Sequence, residues 1–370
     1  MSKNKYRAAI IGCGWVSTGH MNGYRSTEAV EVTAAADSDK ERLAEFSREY
    51  GVSGLYTNYR QMLEKEKPDI VSICTWPGLH CEMTVEAAQQ SAKAVICEKP
   101  MTLSLRQADK MIDACSRAGC QLVVCHQRRL ESRYVKAKEL LDNGEIGELS
   151  KIEVYQCDLF TDDHGVDLLR FYAGDVPVRW VFGQIDWKNR QLSPWGYTTE
   201  TAAIGRIKFD TELEGQLVAG FAIEGHLSYS VVLKGSKGLI EISGGNYPSA
   251  SWVALMNDKS HGWKKIEVEN RLLGTPRTEM LGKPSIEYFW VESWKRMVES
   301  TIDCIENNKE HMLSGRQAAK ALEIIAAIYE SSRQRSVIHF PLSAEIDRPV
   351  ELMEKAHSAQ LREEGKEFGS

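Results

Sequence analysis

Two glycines near the start of the chain have a spacing that can bind phosphate. They belong to Gly12-Cys-Gly14-Trp-Val-Ser17, which matches Gly-x-Gly-x-x-Gly except that Ser17 takes the third glycine position. The first glycine permits a tight turn, and the second lets the backbone approach a pyrophosphate at the N-terminus of the following helix. The pattern favours a dinucleotide site over a merely structural turn. Its expected contacts are Gly12, Cys13, Gly14, Trp15 and Val16.

An acidic residue stands where such a site holds the ribose. Asp37 follows the apolar run 30–36, and its carboxylate can accept hydrogen bonds from the 2′-hydroxyl. Because Asp37 would repel a 2′-phosphate and has no arginine beside it in the sequence, NAD is favoured over NADP. Lys40 and Arg42 are near enough to keep NADP as the alternative. We expect Ser38 to contact the cofactor as well.

The elements that must position these residues follow from the hydrophobic pattern. Short apolar runs alternate with amphipathic segments through residues 1–126, which is typical of βαβ units and of a parallel sheet covered on both faces. Beyond residue 127, successive strand-like runs with glycine-containing turns predict a mostly antiparallel sheet. The strands expected there are 150–158, 178–187, 202–209, 217–223, 228–233 and 239–242, and a helix is expected at 314–332. The fold class is therefore α/β.

Composition narrows the class of protein. The 370 residues carry 46 basic and 52 acidic side chains, a net charge of −6, which argues against a protein that coats nucleic acid. No apolar run approaches membrane-spanning length, and the first residues lack the pattern of a signal peptide. Nine cysteines without a Cys-x-x-Cys pair predict buried thiols rather than a disulfide framework or a metal site. We expect a cytoplasmic protein with no metal, no nucleic acid and no membrane partner.

A second motif makes the sequence resemble a known family. The run Ile96-Cys-Glu-Lys-Pro-Met101, together with the glycine turn and His20, resembles the Gfo/Idh/MocA family of sugar and cyclitol oxidoreductases. The likeness covers nearly the whole chain and is weakest between 185 and 285. It includes residues 67–77 with His80, 143–147, 164–171 and 314–332.

The resemblance implies two domains and an assembly. Residues 1–126 would form an NAD(P)-binding Rossmann domain. Residues 127–345 would form a substrate-binding and oligomerisation α/β domain with a large open, mostly antiparallel sheet, and residues 346–370 a peripheral charged tail. Subunits of the family commonly pair through the open sheet, so a homodimer or homotetramer is expected. The implied reaction is reversible hydride transfer between nicotinamide and a secondary hydroxyl of a sugar, sugar derivative or cyclitol.

The resemblance also implies roles for individual residues. Removal of hydride from a carbinol carbon requires a base for the hydroxyl proton; His164 matches the family's catalytic histidine, and Asp167 is expected to orient its ring. Lys99 of the Glu-Lys-Pro motif would hydrogen-bond the substrate oxygen. The cofactor contacts expected at the strand ends are Thr75, Trp76, Pro77, His80, Glu98, Lys99 and Gln127. The expected substrate contacts are Lys99, His126, Arg128, Asp158, Asp163, His164 and Asp167.

One departure from the family pattern precedes the histidine. The family typically carries Asp-x-x-x-His, which would place an aspartate at position 160, but this sequence has Phe160. Asp158 and Asp163 are the candidate replacements. Two other functions stay open beside a dehydrogenase, the first because of the altered loop and the second although the presence of Lys99 and His164 argues against it. One is a redox-neutral glycosidase or lyase that uses bound NAD for transient sugar oxidation, and the other is a regulator that binds NAD and sugar without turnover.

Overall fold

The structure, a computed structural model, describes residues 5–90, 92–193, 197–220, 229–243, 252–260, 262–268 and 289–363. The chain divides into two compact units. The first comprises residues 1–102, 107–135 and 269–319, and the second comprises residues 103–106, 136–268 and 320–370. These units cross the predicted boundary between residues 126 and 127, since a late segment of the chain returns to the first unit.

Strands and helices alternate early in the chain, and consecutive strands follow. The strands are β1 (Tyr6–Ile11), β2 (Val30–Ala36), β3 (Gly54–Tyr56), β4 (Ile70–Ile73), β5 (Ala94–Cys97), β6 (Gln121–Val124), β7 (Leu149–Gln156), β8 (Val178–Asp186), β9 (Gln191–Leu192), β10 (Thr198–Thr199), β11 (Ala202–Phe209), β12 (Glu214–Ala219), β13 (Ser230–Gly235), β14 (Gly238–Ser243), β15 (Trp252–Asn257), β16 (Lys264–Ile266) and β17 (Ile338–His339). The helices are α1 (Ser17–Arg25), α2 (Lys40–Tyr50), α3 (Tyr59–Glu66), α4 (Pro77–Gln89), α5 (Leu105–Ala118), α6 (Ser132–Asp142), α7 (His164–Tyr172), α8 (Phe289–Asn307), α9 (Gly315–Gln334) and α10 (Pro349–Glu363), with a short 3-10 helix at Gln127–Leu130.

The first unit is built on a parallel sheet. Within the described residues it has six strands in the order β3-β2-β1-β4-β5-β6. Every residue of β4 and β5 is buried, as expected when helices cover both faces. The strand order reverses at β1, and ligands of such sheets bind beyond the carboxyl ends of the strands at that point. The predicted Rossmann sheet is confirmed.

Helix α8 packs against α1 through two glycines. A Cβ at Gly23 would lie 2.9 Å from the carbonyl oxygen of Trp294, and a Cβ at Gly19 would overlap its indole ring. Trp294 is buried, and its ring lies 4.5 Å from the imidazole of His20. This close packing explains why α8 belongs to the first unit, although its position in the sequence predicted the second domain.

The second unit is built on a mixed sheet. Over the described residues its nine strands have the order β16-β15-β14-β13-β7-β12-β11-β8-β17. All neighbouring strands are antiparallel except β7 and β12. The predicted, mostly antiparallel sheet is confirmed, and β11 has the predicted bounds. Residues 221–223 and 228 of the predicted strands lie outside the described residues.

Helix α9 covers one face of this sheet. A Cβ at Gly205 would lie 2.8 Å from Cδ1 of Ile328, and a Cβ at Gly183 would lie 2.9 Å from its Cγ2, so glycine allows the helix to approach the strands closely. Side chains alternate between the two faces of a sheet. On the opposite face, Phe182 and Ile204 are 47% and 49% exposed, which leaves an open apolar surface.

The end of the chain differs from the predicted peripheral tail. Residues Pro349–Glu363 form α10, and Ile346 and Met353 are buried. Asp347 accepts hydrogen bonds from the Ser104 hydroxyl at 2.6 Å and from the Arg106 N–H at 2.8 Å. The charge-rich pattern does not indicate this helix, because a few well-placed side chains, rather than a continuous apolar face, attach the segment.

Helix hydropathy and cysteine burial can also be compared with the sequence analysis. Among the described residues, no helix is both long enough and apolar enough to cross a bilayer. In the same part of the chain the cysteines form no disulfide, and all of them except Cys157 are buried. The prediction of buried thiols is confirmed for the other eight.

Candidate active site

The glycine turn has the backbone geometry that the pattern requires. Gly12 has a φ of +91°, and a Cβ there would lie 2.7 Å from the carbonyl oxygen of Cys74, so no other residue fits without strain. At Gly14 a Cβ would meet no atom within 4 Å, so the space above this backbone is open. Ser17 is buried and donates its hydroxyl to the Gly14 carbonyl at 2.6 Å. These residues fit a dinucleotide pyrophosphate, because open backbone at the start of α1 can receive it.

Asp37 supports this turn from the end of β2. Its Oδ2 accepts the N–H of Cys13 at 2.8 Å, and its Oδ1 accepts the N–H of Asp39 at 2.9 Å. Burial, followed by the nearby Asp37 charge, raises the pKa of the Cys13 thiol to about 12. The first turn of α2 also brings Arg42 to 3.7 Å from Asp37. The carboxylate therefore has Arg42 as a cationic neighbour in space, and Arg42 is one of the two basic residues that keep NADP as the alternative.

Two tryptophans are exposed at the carboxyl ends of the parallel strands. Trp15 follows β1 and is 48% exposed, while Trp76 follows β4 and is 52% exposed. Pro77 is the first residue of α4, where a missing N–H is tolerated. Both tryptophans are predicted cofactor contacts, and both lie at the strand ends beyond which parallel sheets bind ligands. Val16 and Thr75 lie on these two connections, and Ser38 lies on the connection after β2.

Lys99 is held by a buried carboxylate. Its backbone N–H donates to Glu98 Oε2 at 3.1 Å, and Glu98 Oε1 lies 3.2 Å from Nε2 of His20. Burial alone would raise the pKa of Glu98, but the hydrogen bond from His20 and the charges of His20 and Lys99 outweigh it and lower that pKa. The Lys99–Pro100 peptide bond is cis. The backbone of Lys99 is thus fixed while its side chain is only partly buried.

The support continues into the core of the first unit. His20 Nδ1 lies 2.9 Å from the Ser72 hydroxyl, which lies 2.7 Å from the hydroxyl of Tyr24. His20, Glu98 and Cys125 also bring three groups of metal-ligating type within 4.8 Å of one another. All three are buried, and Cys125 Sγ lies 3.8 Å from His20 Nε2. We interpret this set as a hydrogen-bonded support for the Glu-Lys-Pro turn.

His80 differs from the predicted cofactor contact. Its ring is fully buried, and its nitrogens lie 3.1 Å from the carbonyl oxygen of Pro100 and 3.0 Å from that of Thr75. Burial is the main reason why the pKa of His80 is lowered. The side chain therefore joins the turn after β4 to the Glu-Lys-Pro turn, and acts behind the binding surface.

Three further predicted residues follow β6. His126, Gln127 and Arg128 are all buried, the last two in the short 3-10 helix. Oε1 of Gln127 is buried, and no described residue donates a hydrogen bond to it. A buried acceptor of this kind is unusual in a folded protein unless a ligand or water serves it. Gln127 therefore fits the predicted cofactor contact.

In the second unit, His164 begins α7. His164, Asp163 and Asp167 are all buried. A Cβ at Gly165 would overlap Oε1 of Gln156, so glycine lets the first turn of α7 approach β7. The Asp167 N–H donates to the Asp163 carbonyl at 3.1 Å. The predicted base and its predicted partner therefore lie in the same first turn of a buried helix.

Asp158 shapes the loop before this helix. Its Oδ1 accepts the N–H of Thr161 at 2.6 Å and the N–H of Asp162 at 3.0 Å. Burial, followed by the charges of Asp162 and Glu200, raises the pKa of Asp158 to about 6. Asp158 is therefore a carboxyl group that titrates near neutrality and also fixes the loop.

Substitution of Asp158 by asparagine should stabilise the protein in a pH-dependent way. The folded pKa lies above the unfolded value of about 3.9, so the stabilising contribution of Asp158 is complete below that value and is lost as the pH rises through about 6. The amide oxygen can still accept both N–H groups. After discounting for partial exposure, we expect Asp158→Asn to be more stable by about 1 to 2 kcal/mol at alkaline pH and indistinguishable at about pH 4. Thermal melts of both proteins across this range test this, and a gain independent of pH would contradict it.

Glu200 is the principal feature that the sequence did not indicate. It is fully buried and accepts the N–H of Leu159 at 2.7 Å and the N–H of Phe160 at 3.4 Å. The hydroxyls of Thr199, at 2.9 Å, and Tyr329 also donate to it. A single acidic residue among threonines usually indicates a solvated surface, and only tertiary structure identifies its partners.

The predicted site residues are distributed over both units. The glycine turn, Asp37, the connections after β4 and β5, and residues 126–128 belong to the first unit, whereas the Asp158 loop, His164 and Asp167 belong to the second. In the first unit Asp37 contacts the glycine turn, and His80 joins the connections after β4 and β5. In the second unit His164 and Asp167 share one helical turn. The first group can bind a dinucleotide, and the second offers an imidazole with carboxylates for proton transfer.

Comparison with known proteins agrees with both parts. Residues 6–126 match the Gfo/Idh/MocA model described as "Oxidoreductase family, NAD-binding Rossmann fold". Residues 159–340 match the companion model, "Oxidoreductase family, C-terminal alpha/beta domain". Together these matches cover most of the chain.

Individual proteins are similar over different lengths. A D-apiose dehydrogenase from Paraburkholderia graminis is 27% identical, over 94% of this chain and 92% of its own length. A myo-inositol 2-dehydrogenase from Thermotoga maritima is 30% identical over 38% of this chain and 42% of its own. The crystal structure of an Agrobacterium radiobacter oxidoreductase in complex with NAD+, L-tartaric acid and magnesium has a TM-score of 0.75 at 19% identity, covering 91% of this chain and 98% of that chain. With an open glycine turn, a supported Glu-Lys-Pro turn and two matched domains, the chain belongs to the Gfo/Idh/MocA family of NAD-binding oxidoreductases.

Proposed function

We propose that the protein is an NAD-dependent dehydrogenase that transfers hydride between nicotinamide and a secondary hydroxyl of a sugar, sugar derivative or cyclitol. One observation carries this proposal: the buried Glu98–His20 pair fixes the backbone of Lys99 at the carboxyl edge of the parallel sheet. The open glycine turn belongs to the same sheet. That edge is where parallel α/β sheets bind ligands. The relatives named as D-apiose and myo-inositol dehydrogenases support the substrate class.

Lys99 is proposed to hold the oxygen of the reacting carbon. Bound NAD would supply the electrophilic ring that accepts hydride. The Lys99 ammonium would hydrogen-bond the alcohol oxygen and stabilise negative charge as the proton leaves. Since Glu98 fixes the backbone at Lys99, the side chain extends from a defined position.

His164 is proposed to take the hydroxyl proton. A neutral imidazole near physiological pH is a suitable general base, and Asp167, one turn on, is proposed to orient the ring and stabilise the imidazolium. His126, Arg128, Asp158 and Asp163 are proposed substrate contacts.

The cofactor contacts divide by chemistry. The turn from Gly12 to Val16 would bind pyrophosphate, Asp37 and Ser38 the ribose, and Trp15 with the 75–77 connection the flanks of the cofactor. Gln127 Oε1 would accept a hydrogen bond from the carboxamide of nicotinamide, which would satisfy a buried acceptor that no described residue serves.

A panel of sugars, sugar acids and cyclitols incubated with NAD tests the proposal. Formation of NADH in stoichiometric amounts supports a dehydrogenase. Product without net NADH would instead indicate the redox-neutral glycosidase or lyase, which the Phe160 departure keeps as the second candidate. Binding without any product would indicate a regulator.

Replacement of Asp37 by alanine should weaken NAD binding. The cofactor would lose a charged acceptor for the ribose, and the Cys13 N–H would lose its partner, so KM for NAD should rise about tenfold to a hundredfold. The preference for NAD over NADP should fall because the repulsion of a 2′-phosphate is removed. Steady-state kinetics with both cofactors measure this. The control Arg42→Ala should raise only the KM for NADP, and an unchanged KM for NAD in Asp37→Ala would refute the assignment.

A second copy of the chain is proposed to cover the open face of the second sheet. Phe182 and Ile204 lie exposed there on neighbouring strands, and the resemblance to the family implies pairing of subunits through this sheet. Light scattering should give the mass of a dimer or tetramer, and the double variant Phe182→Asp/Ile204→Asp should give a monomer. Leu192→Asp, at an exposed hairpin position, should keep the wild-type mass. A monomeric wild type would contradict the assembly.

A further inference from the structure

Glu200 is a buried acid with an unusual set of partners. It stands between the β10 strand and β11, and no part of it reaches solvent. Oε1 accepts the backbone N–H groups of Leu159 and Phe160, and Oε2 accepts the hydroxyls of Thr199 and Tyr329. All four donors are uncharged. A carboxylate taken out of water is tolerated when several donors replace its hydration.

Two of these donors belong to the loop that precedes His164. Leu159 and Phe160 are fully buried, so water cannot readily replace Glu200 as their acceptor. A buried N–H that loses its acceptor costs free energy. The contact at Oε1 therefore holds the middle of the loop to Glu200, in the interior of the second unit.

Phe160 explains why the loop needs this acceptor. The phenyl ring lies 5.9 Å from the ring of Tyr197 and 6.1 Å from that of Tyr329, edge to face in both cases. The position where the family pattern places an aspartate is thus occupied by a core aromatic, and its backbone N–H is directed to Glu200. Position 160 therefore has no carboxylate, and its main chain is hydrogen-bonded to Glu200 instead.

The ends of the loop are fixed separately. Asp158 accepts the N–H groups of Thr161 and Asp162, and Gly165 lets the first helical turn pack against Gln156. With both ends fixed, Glu200 holds the residues between them, and these residues lead directly into α7.

We propose that Glu200 is a positioning residue that places His164 by anchoring the backbone of residues 159–160. The role of His164 as base rests on the proposed function, whereas the anchoring itself does not. The effect depends on where the acceptor oxygen lies, rather than on the charge of the side chain.

Two substitutions separate position from charge. Glu200→Gln keeps the length and one acceptor oxygen but removes the charge, and the Thr199 and Tyr329 hydroxyls can rotate to accept from the amide. Glu200→Asp keeps the charge but withdraws the oxygens by one methylene. Tyr329→Phe is the matched control, because it removes a donor to Oε2 and leaves both contacts at Oε1.

The expected results differ between the variants. In Glu200→Asp the amides of residues 157–163 should exchange with solvent hydrogen about tenfold faster or more, and kcat should fall about tenfold to a hundredfold because the base is misplaced. KM for NAD should stay within about twofold, since the first unit binds the cofactor. Glu200→Gln should keep kcat and exchange within about threefold of wild type, and so should Tyr329→Phe.

Wild-type kcat and wild-type hydrogen exchange in Glu200→Asp would overturn the proposal. So would a lower kcat and faster exchange in Glu200→Gln while Glu200→Asp is unaffected. Equal changes of kcat and exchange in all three variants would also overturn it. Hydrogen exchange requires no substrate. If the wild type turns over no sugar, the dehydrogenase proposal fails, while the exchange of residues 157–163 still decides whether Glu200 anchors the loop.

Discussion

Lys99→Met should lower kcat about a thousandfold, which is the effect of removing a preorganised donor from an oxygen that develops negative charge. Methionine keeps the length of the side chain and removes the ammonium. The turn itself should persist, because Glu98 accepts the backbone N–H at position 99 rather than the side chain. The affinity for NAD should therefore change by no more than about threefold, since the glycine turn and Asp37 are untouched.

Lys93 provides the control for Lys99. It precedes the same strand, is largely exposed, and pairs with Asp69 at 2.9 Å. Lys93→Met should have wild-type kcat and KM, because exposed ion pairs contribute little. Single-turnover measurements with saturating NAD separate the chemical step from binding. Retention of a tenth or more of the wild-type rate in Lys99→Met would remove Lys99 from the reaction.

His164→Ala should lower kcat at neutral pH by about a hundredfold to ten-thousandfold, the usual contribution of a general base. The residual rate should increase with pH, because hydroxide then has to remove the proton. Exogenous imidazole should restore part of the activity. NAD affinity should be nearly unchanged, since the predicted cofactor contacts belong to the first unit.

His339 is the matched control for this substitution. It lies exposed in the second unit, on the edge strand β17, and His339→Ala should show the wild-type pH profile. A His164→Ala enzyme with wild-type kcat would assign the base elsewhere, and Asp158, whose pKa is about 6, would be the first residue to examine.

Local sequence rules identified the parts of the site that depend on backbone geometry. The turn at Gly12 was predictable because a positive φ and a carbonyl oxygen 2.7 Å from the Cβ position admit only glycine. The strand leading to Lys99 was predictable because all of its residues are apolar and buried. In both cases the requirement lies within a few consecutive residues.

Contacts between distant segments could not be predicted in this way. Trp294 packs on Gly19 and Gly23 across more than two hundred residues, and no local pattern records that contact. Glu200 likewise has partners in a loop about forty residues earlier and in α9. His80 was expected at the cofactor surface because it follows a strand end, yet its ring nitrogens face two backbone carbonyl oxygens in the interior.

Hydride transfer itself can be followed directly with deuterium. The sugar or cyclitol that the panel selects would be labelled at the carbinol carbon and converted by the wild-type enzyme, with mass spectrometry of the recovered nicotinamide. We expect one deuterium in each NADH formed and a primary isotope effect on single-turnover rates. NADH without deuterium, or label that remains entirely in the sugar product, would contradict a dehydrogenase that acts through Lys99 and His164.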